Sequence, residues 1–91
     1  MDIKEVKTIV DAMPQNFDSH EFILKFIWKY TSSYGHLLIK HGNVTTAHAE
    51  ISKFLLNKTS ELCIEKKGEI NSKDLFGNIA PCAQWKKFEK K

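Results

Sequence analysis

The chain has 91 residues, of which 42% are hydrophobic and 27% charged, a composition typical of one soluble globular domain over residues 1–91 and unlike that of a disordered chain. Its apolar runs fall far short of the roughly 18 residues of a membrane span, and its start lacks a signal-peptide pattern, which predicts a cytoplasmic protein with no membrane partner. The formal net charge is +3. This excess lies in residues 86–91, which we expect to form a frayed basic tail.

All fourteen basic residues are lysines. Because bidentate recognition of guanine depends on the planar guanidinium of arginine, this composition argues against base-specific DNA recognition more than against phosphate contacts. Cys63 and Cys82 are predicted to be reduced thiols, since disulfides are rare in the cytoplasm.

Apolar spacing and capping residues predict two helices in the first third of the chain. A helix over residues 3–13 ends before Pro14. Asp18 and Glu21 then form a capping box for a helix over residues 19–32, whose aromatic stripe we expect at the centre of the core. Trp28 lies off that stripe, which favours an interface role.

Two further helices are predicted in the middle of the chain. A short helix over residues 34–41 ends at Gly42, a common residue after a helix C-terminus. Thr45 or Thr46 is expected to cap the next helix, over residues 46–57, which buries its apolar side.

The last third of the chain permits two interpretations. Residues 62–66 alternate like a strand, and residues 83–88 either return as a second strand, pairing Ile64 with Trp85, or form a helix that begins near Pro81. Phe76, in the intervening loop, is expected to plug the core. The predicted fold class is therefore mainly α (α+β), with four helices and a small C-terminal β-hairpin in a winged-helix-like arrangement. The alternative is an all-α bundle with a C-terminal helix.

No motif for catalysis or metal binding is recognisable in the sequence. His36 and His41 would lie roughly 140° apart around one helix, so they cannot chelate one ion from one face. We therefore predict no enzyme activity, no metal site, no cofactor and no small-molecule substrate.

Residues 34–57, a short helix, a turn at Gly42 and a second helix, resemble a helix-turn-helix, and with a C-terminal hairpin residues 19–88 resemble a winged helix. The resemblance implies binding of double-stranded DNA, with the second helix in the major groove. His48 departs from the pattern, because that family usually buries an aliphatic residue there. The residues expected to contact nucleic acid are Thr45, Thr46, His48, Ser52, Lys53, Lys66, Lys73, Lys86 and Lys87.

Residues 68–78, with Cys82 and Trp85 after them, are similar to the ends of short proteins of bacterial mobile elements and prophages. This resemblance implies no activity.

The alternative function is a protein-protein interaction module, accessory or regulatory, with no nucleic-acid contact. It predicts an exposed apolar patch containing Trp28 or Trp85. Under the DNA-binding hypothesis we expect a homodimer, because one copy carries few cations. The candidate interface residues are Trp28, Tyr34 and Trp85.

Overall fold

In a computed structural model, which describes residues 1–88, helices occupy most of the first two thirds of the chain and strands the last third. The helices are α1 (Ile3–Ala12), α2 (Ser19–Lys29), α3 (Thr31–His41), α4 (Val44–Asn57) and α5 (Thr59–Leu62). The strands are β1 (Asn16–Asp18), β2 (Ile64–Lys73) and β3 (Ile79–Lys87). The predicted α+β class with a C-terminal hairpin is confirmed, whereas the alternative of a C-terminal helix is wrong.

The strands form one antiparallel sheet in the order β1-β3-β2, so that β3 is central. Trp85 pairs with Phe17 on one side and Lys66 on the other, while Ile64 pairs with Lys87. The predicted pairing of Ile64 with Trp85 is therefore two residues out of register. The two long strands are joined by a short turn over 74–78, in place of the long connection implied by the shorter predicted strands.

The hydrophobic core lies between the helices and the sheet. Trp85 is only 1% exposed, and its indole Nε1 donates to the hydroxyl of Ser19 at 3.0 Å. This burial contradicts the predicted interface role of Trp85, because the ring is enclosed by the protein's own side chains. Phe17 and Phe22, at the start of α2, are both buried with ring centroids 6.5 Å apart.

Local hydrogen bonds determine where the helices begin and end. Asp18 and Glu21 form the predicted capping box of α2. The break expected after Ser32 falls instead at Tyr30, and α3 begins directly at Thr31. The hydroxyl of Thr31 donates to the carbonyl of Ile27 at 2.7 Å, which links the two helices across this break.

Several local predictions at the chain's turns and end are wrong. The sequence predicts no strand between the first two helices, yet β1 forms there because its residues pair with the distant β3. Phe76 is 66% exposed and does not plug the core. Within the expected frayed tail, Lys86 and Lys87 belong to β3, and residues 89–91 lie outside the described residues. No helix within residues 1–88 has the length and apolarity needed to cross a membrane.

Candidate functional site

The candidate functional site is a cleft of about 480 Å³ between α4, the start of α2 and the β2–β3 hairpin. The sheet places the hairpin opposite the exposed side of α4, although the two are not adjacent in sequence. Five of the nine residues expected to contact nucleic acid line this cleft. They are Thr45, His48, Ser52, Lys53 and Lys66.

The start of α4 is open to solvent. Gly42 adopts a left-handed conformation with φ of 76°, which ends α3 and redirects the chain. The side chain of Asn43, rather than the predicted Thr45 or Thr46, caps α4 by accepting from the backbone N–H of Thr46 at 2.7 Å. Both threonines are exposed, so their hydroxyls are accessible beside the helix start.

His48 forms a polar pair with Tyr34. The Tyr34 hydroxyl lies 2.7 Å from His48 Nε2, and both side chains are half-buried. Burial lowers the pKa of His48, and nearby His20 lowers it further, while Asp74 opposes the shift. Burial also raises the pKa of Tyr34. This contact accounts for a half-buried histidine at a position where an aliphatic residue was expected. It also engages the hydroxyl of Tyr34, a candidate interface residue, within the same chain.

The cleft carries charges of both signs. Lys66 Nζ lies 3.5 Å from a carboxylate oxygen of Glu69, and Glu69 and Asp74 also line the cleft. Lys53 is exposed and makes no ion pair within residues 1–88. The cationic character of the cleft is therefore modest.

The three remaining lysines expected to contact nucleic acid lie outside this cleft lining. Lys73 is exposed at the end of β2. Lys87 donates from Nζ to the carbonyls of Asp11 at 3.2 Å and Met13 at 2.9 Å, which places its charge at the C-terminal end of α1. Lys86 follows the buried Trp85 in β3, so alternation along the strand directs it to the opposite face of the sheet.

A cluster of side chains capable of binding a metal, which no local sequence pattern predicts, lies at the edge of the cleft, and two of its members, His20 and Cys82, line it. Single ligand atoms of Asp18, His20 and Cys82 all lie within 4.8 Å of one another. Ser72 Oγ lies 2.7 Å from His20 Nδ1 and 3.4 Å from Cys82 Sγ. Only the pairing of β2 with β3 beside α2 brings these residues together, so local spacing gave no signal for them.

Of the candidate interface residues, Trp28 remains accessible. Its side chain is 78% exposed on α2, and Leu24, one turn earlier, is 45% exposed.

Comparisons of this chain with protein-family models, with curated proteins and with solved structures gave no match.

Proposed function

We propose that this chain is a small non-catalytic module that binds double-stranded DNA as a winged helix-turn-helix. The observation that carries the proposal is that α4, whose start is open to solvent, shares one cleft with the β2–β3 hairpin through Lys53 and Lys66. In helix-turn-helix proteins the second helix enters the major groove. We assign that position to α4.

The α3–α4 pair supports this assignment. Ala47, Ile51 and Leu55 are buried and hold one side of α4 on the core, while the opposite side lines the cleft. Backbone N–H groups at a helix start, together with the exposed hydroxyls of Thr45 and Thr46, suit contacts to phosphate oxygens. These contacts would position the helix without reading the base sequence.

We assign the role of the wing to the β2–β3 hairpin. It follows the helix pair in sequence and presents exposed lysines on β2, namely Lys66, Lys67 and Lys73. Lysine contacts to phosphates account for most of the affinity of sequence-independent DNA binding. We therefore assign phosphate contacts to Lys53, Lys66 and Lys73, while Lys87 is already engaged at the end of α1.

Binding by one copy should be modest and sensitive to salt. Lys66 lies near Glu69, and no arginine is present to add bidentate contacts. A dimer that presents two copies of α4 to the duplex would contact twice as many phosphates, and Trp28 is exposed where a second copy could pack.

The proposal is tested by fluorescence anisotropy with a labelled mixed-sequence duplex at about 50 mM salt, where lysine contacts are strong. We expect saturable binding that Lys53→Gln weakens severalfold. Lys25→Gln is the matched control, because Lys25 is an exposed lysine on α2 that does not line the cleft. Absence of binding by the wild-type chain, or equal losses in the two variants, would contradict the proposal.

The exposed pair Leu24 and Trp28 favours a second candidate function, a protein-interaction module. Adjacent exposed apolar side chains on one helix are a common feature of interaction surfaces. This candidate predicts oligomers in light scattering that Trp28→Ala abolishes, together with no DNA binding at low salt. A monomer at all concentrations would exclude self-association and leave only a different protein as the partner.

A further inference from the structure

Three side chains capable of binding a metal converge where β1, α2 and β3 meet. Asp18 ends β1, His20 lies in the first turn of α2, and Cys82 lies in β3. One donor atom from each lies within 4.8 Å of the other two. In a tetrahedral zinc site with bonds of about 2.0–2.3 Å, donor atoms are roughly 3.5 Å apart, so small side-chain rotations bring this set to bonding distance.

The position of the Asp18 side chain is a second observation. Its side chain is only 5% exposed, and its Oδ1 accepts from the backbone N–H of Glu21 at 2.8 Å. The other oxygen accepts no hydrogen bond from the described residues and is not among their buried atoms without a partner, so it is open to solvent or to a cation. The cap holds the carboxylate in place at the start of α2 and leaves this second oxygen available as a ligand for a divalent cation.

Ser72 completes the surroundings of the cluster. Its hydroxyl lies 3.4 Å from Cys82 Sγ, close enough to donate to a thiolate once the proton has left the sulfur. Polar groups beside metal ligands commonly orient them and increase affinity. Ser72 therefore gives the cluster a supporting contact from β2.

We propose that Asp18, His20 and Cys82 bind one Zn²⁺ ion and leave its fourth position to water. The thiolate and imidazole donors favour zinc over calcium or magnesium, which prefer oxygen ligands. The ion links β3 to the start of α2 and so stabilises the position of the hairpin relative to the helices. This site does not depend on the proposed DNA binding.

The direct test is a titration of the untagged, reduced chain with Co²⁺, a spectroscopic substitute for Zn²⁺. We expect one equivalent to produce the visible bands of a four-coordinate ion and a near-ultraviolet sulfur-to-cobalt band, and Zn²⁺ to displace both. Cys82→Ser should abolish the sulfur band, whereas Cys63→Ser should retain it. His20→Gln should lower the affinity by at least about tenfold.

Thermal unfolding gives a second measurement that needs no spectroscopic metal. Zn²⁺ at about 100 times its dissociation constant should raise the Tm of the wild-type chain and of Cys63→Ser by roughly 10–20 °C, and should leave the Tm of Cys82→Ser unchanged. Circular dichroism before metal addition checks that each variant is folded.

The wild-type titration decides the proposal even if a variant fails to fold. A chain that gives no saturable cobalt complex, or a complex without the sulfur band, would show that the cluster is a hydrogen-bonded network only. A sulfur band that persists in Cys82→Ser, or disappears in Cys63→Ser, would likewise overturn the assignment.

Discussion

Trp85 is fully buried, yet its indole N–H remains satisfied because it donates to the hydroxyl of Ser19 at 3.0 Å. Ser19→Ala removes the acceptor and leaves the N–H buried without a partner. We expect this variant to lower the free energy of unfolding by about 1–3 kcal/mol, measured by urea denaturation.

Ser32→Ala is the control for Ser19→Ala, because Ser32 is exposed; its effect should stay within about 0.5 kcal/mol. Equal stabilities of the two variants would show that water or another group satisfies the indole.

His48 should make stability depend on pH. Burial and then His20 lower its pKa below the usual value near 6.5, with Asp74 opposing. The unfolded chain therefore takes up a proton at higher pH than the folded chain. The resulting stabilisation is fully present above about pH 6.5 and is lost as the pH falls through the lower folded pKa.

Thermal unfolding from pH 8 to pH 5 tests this expectation. His48→Gln should reduce the loss of Tm below pH 6.5, whereas His36→Gln, at an exposed histidine, should follow the wild-type curve. A wild-type slope retained in His48→Gln would assign the dependence to other groups.

At the scale of elements, the helices were predictable because their signals are local. The capping box at Asp18 and Glu21 and the apolar spacing of α1 and α4 each depend on residues within a few turns of one another. Errors arose at helix boundaries, where Asn43 replaced the expected threonine cap and α3 began at Thr31.

Strand pairing was less predictable, because its partners are distant in sequence. Asn16–Asp18 forms a strand only against β3, and a register shift between Lys66 and Gly68 interrupts the alternation along β2. The polar residues at 71–73 lack the apolar pattern of a buried strand, so their sequence predicts a loop.

The difference between local and long-range signals also applies to the candidate site. The cleft-lining residues of α4 share one face of a single helix, so their spacing alone predicts that Thr45, His48, Ser52 and Lys53 lie together. The cluster of Asp18, His20 and Cys82 depends on the sheet order, which the sequence alone does not provide.

For the molecule as a whole, its dimensions limit the length of duplex that one copy can contact, and its net charge limits the affinity. Its dimensions are 39 × 28 × 20 Å, and its longest axis is comparable to one helical turn of DNA, about 34 Å. One copy can therefore contact about one turn of duplex. With a net charge of only +3, the affinity depends on a few local contacts rather than on a strong overall field.

Salt dependence measures how many contacts form. If Lys53, Lys66 and Lys73 each neutralise one phosphate, the slope of log affinity against log salt should be about −2.7, an affinity loss of about 40-fold between 50 and 200 mM salt. Lys53→Gln should reduce the magnitude of that slope by about 0.9, and Lys25→Gln should not change it. A dimer would double the wild-type slope. A slope near zero would mean that these lysines do not contact phosphate, even if the chain still binds the duplex.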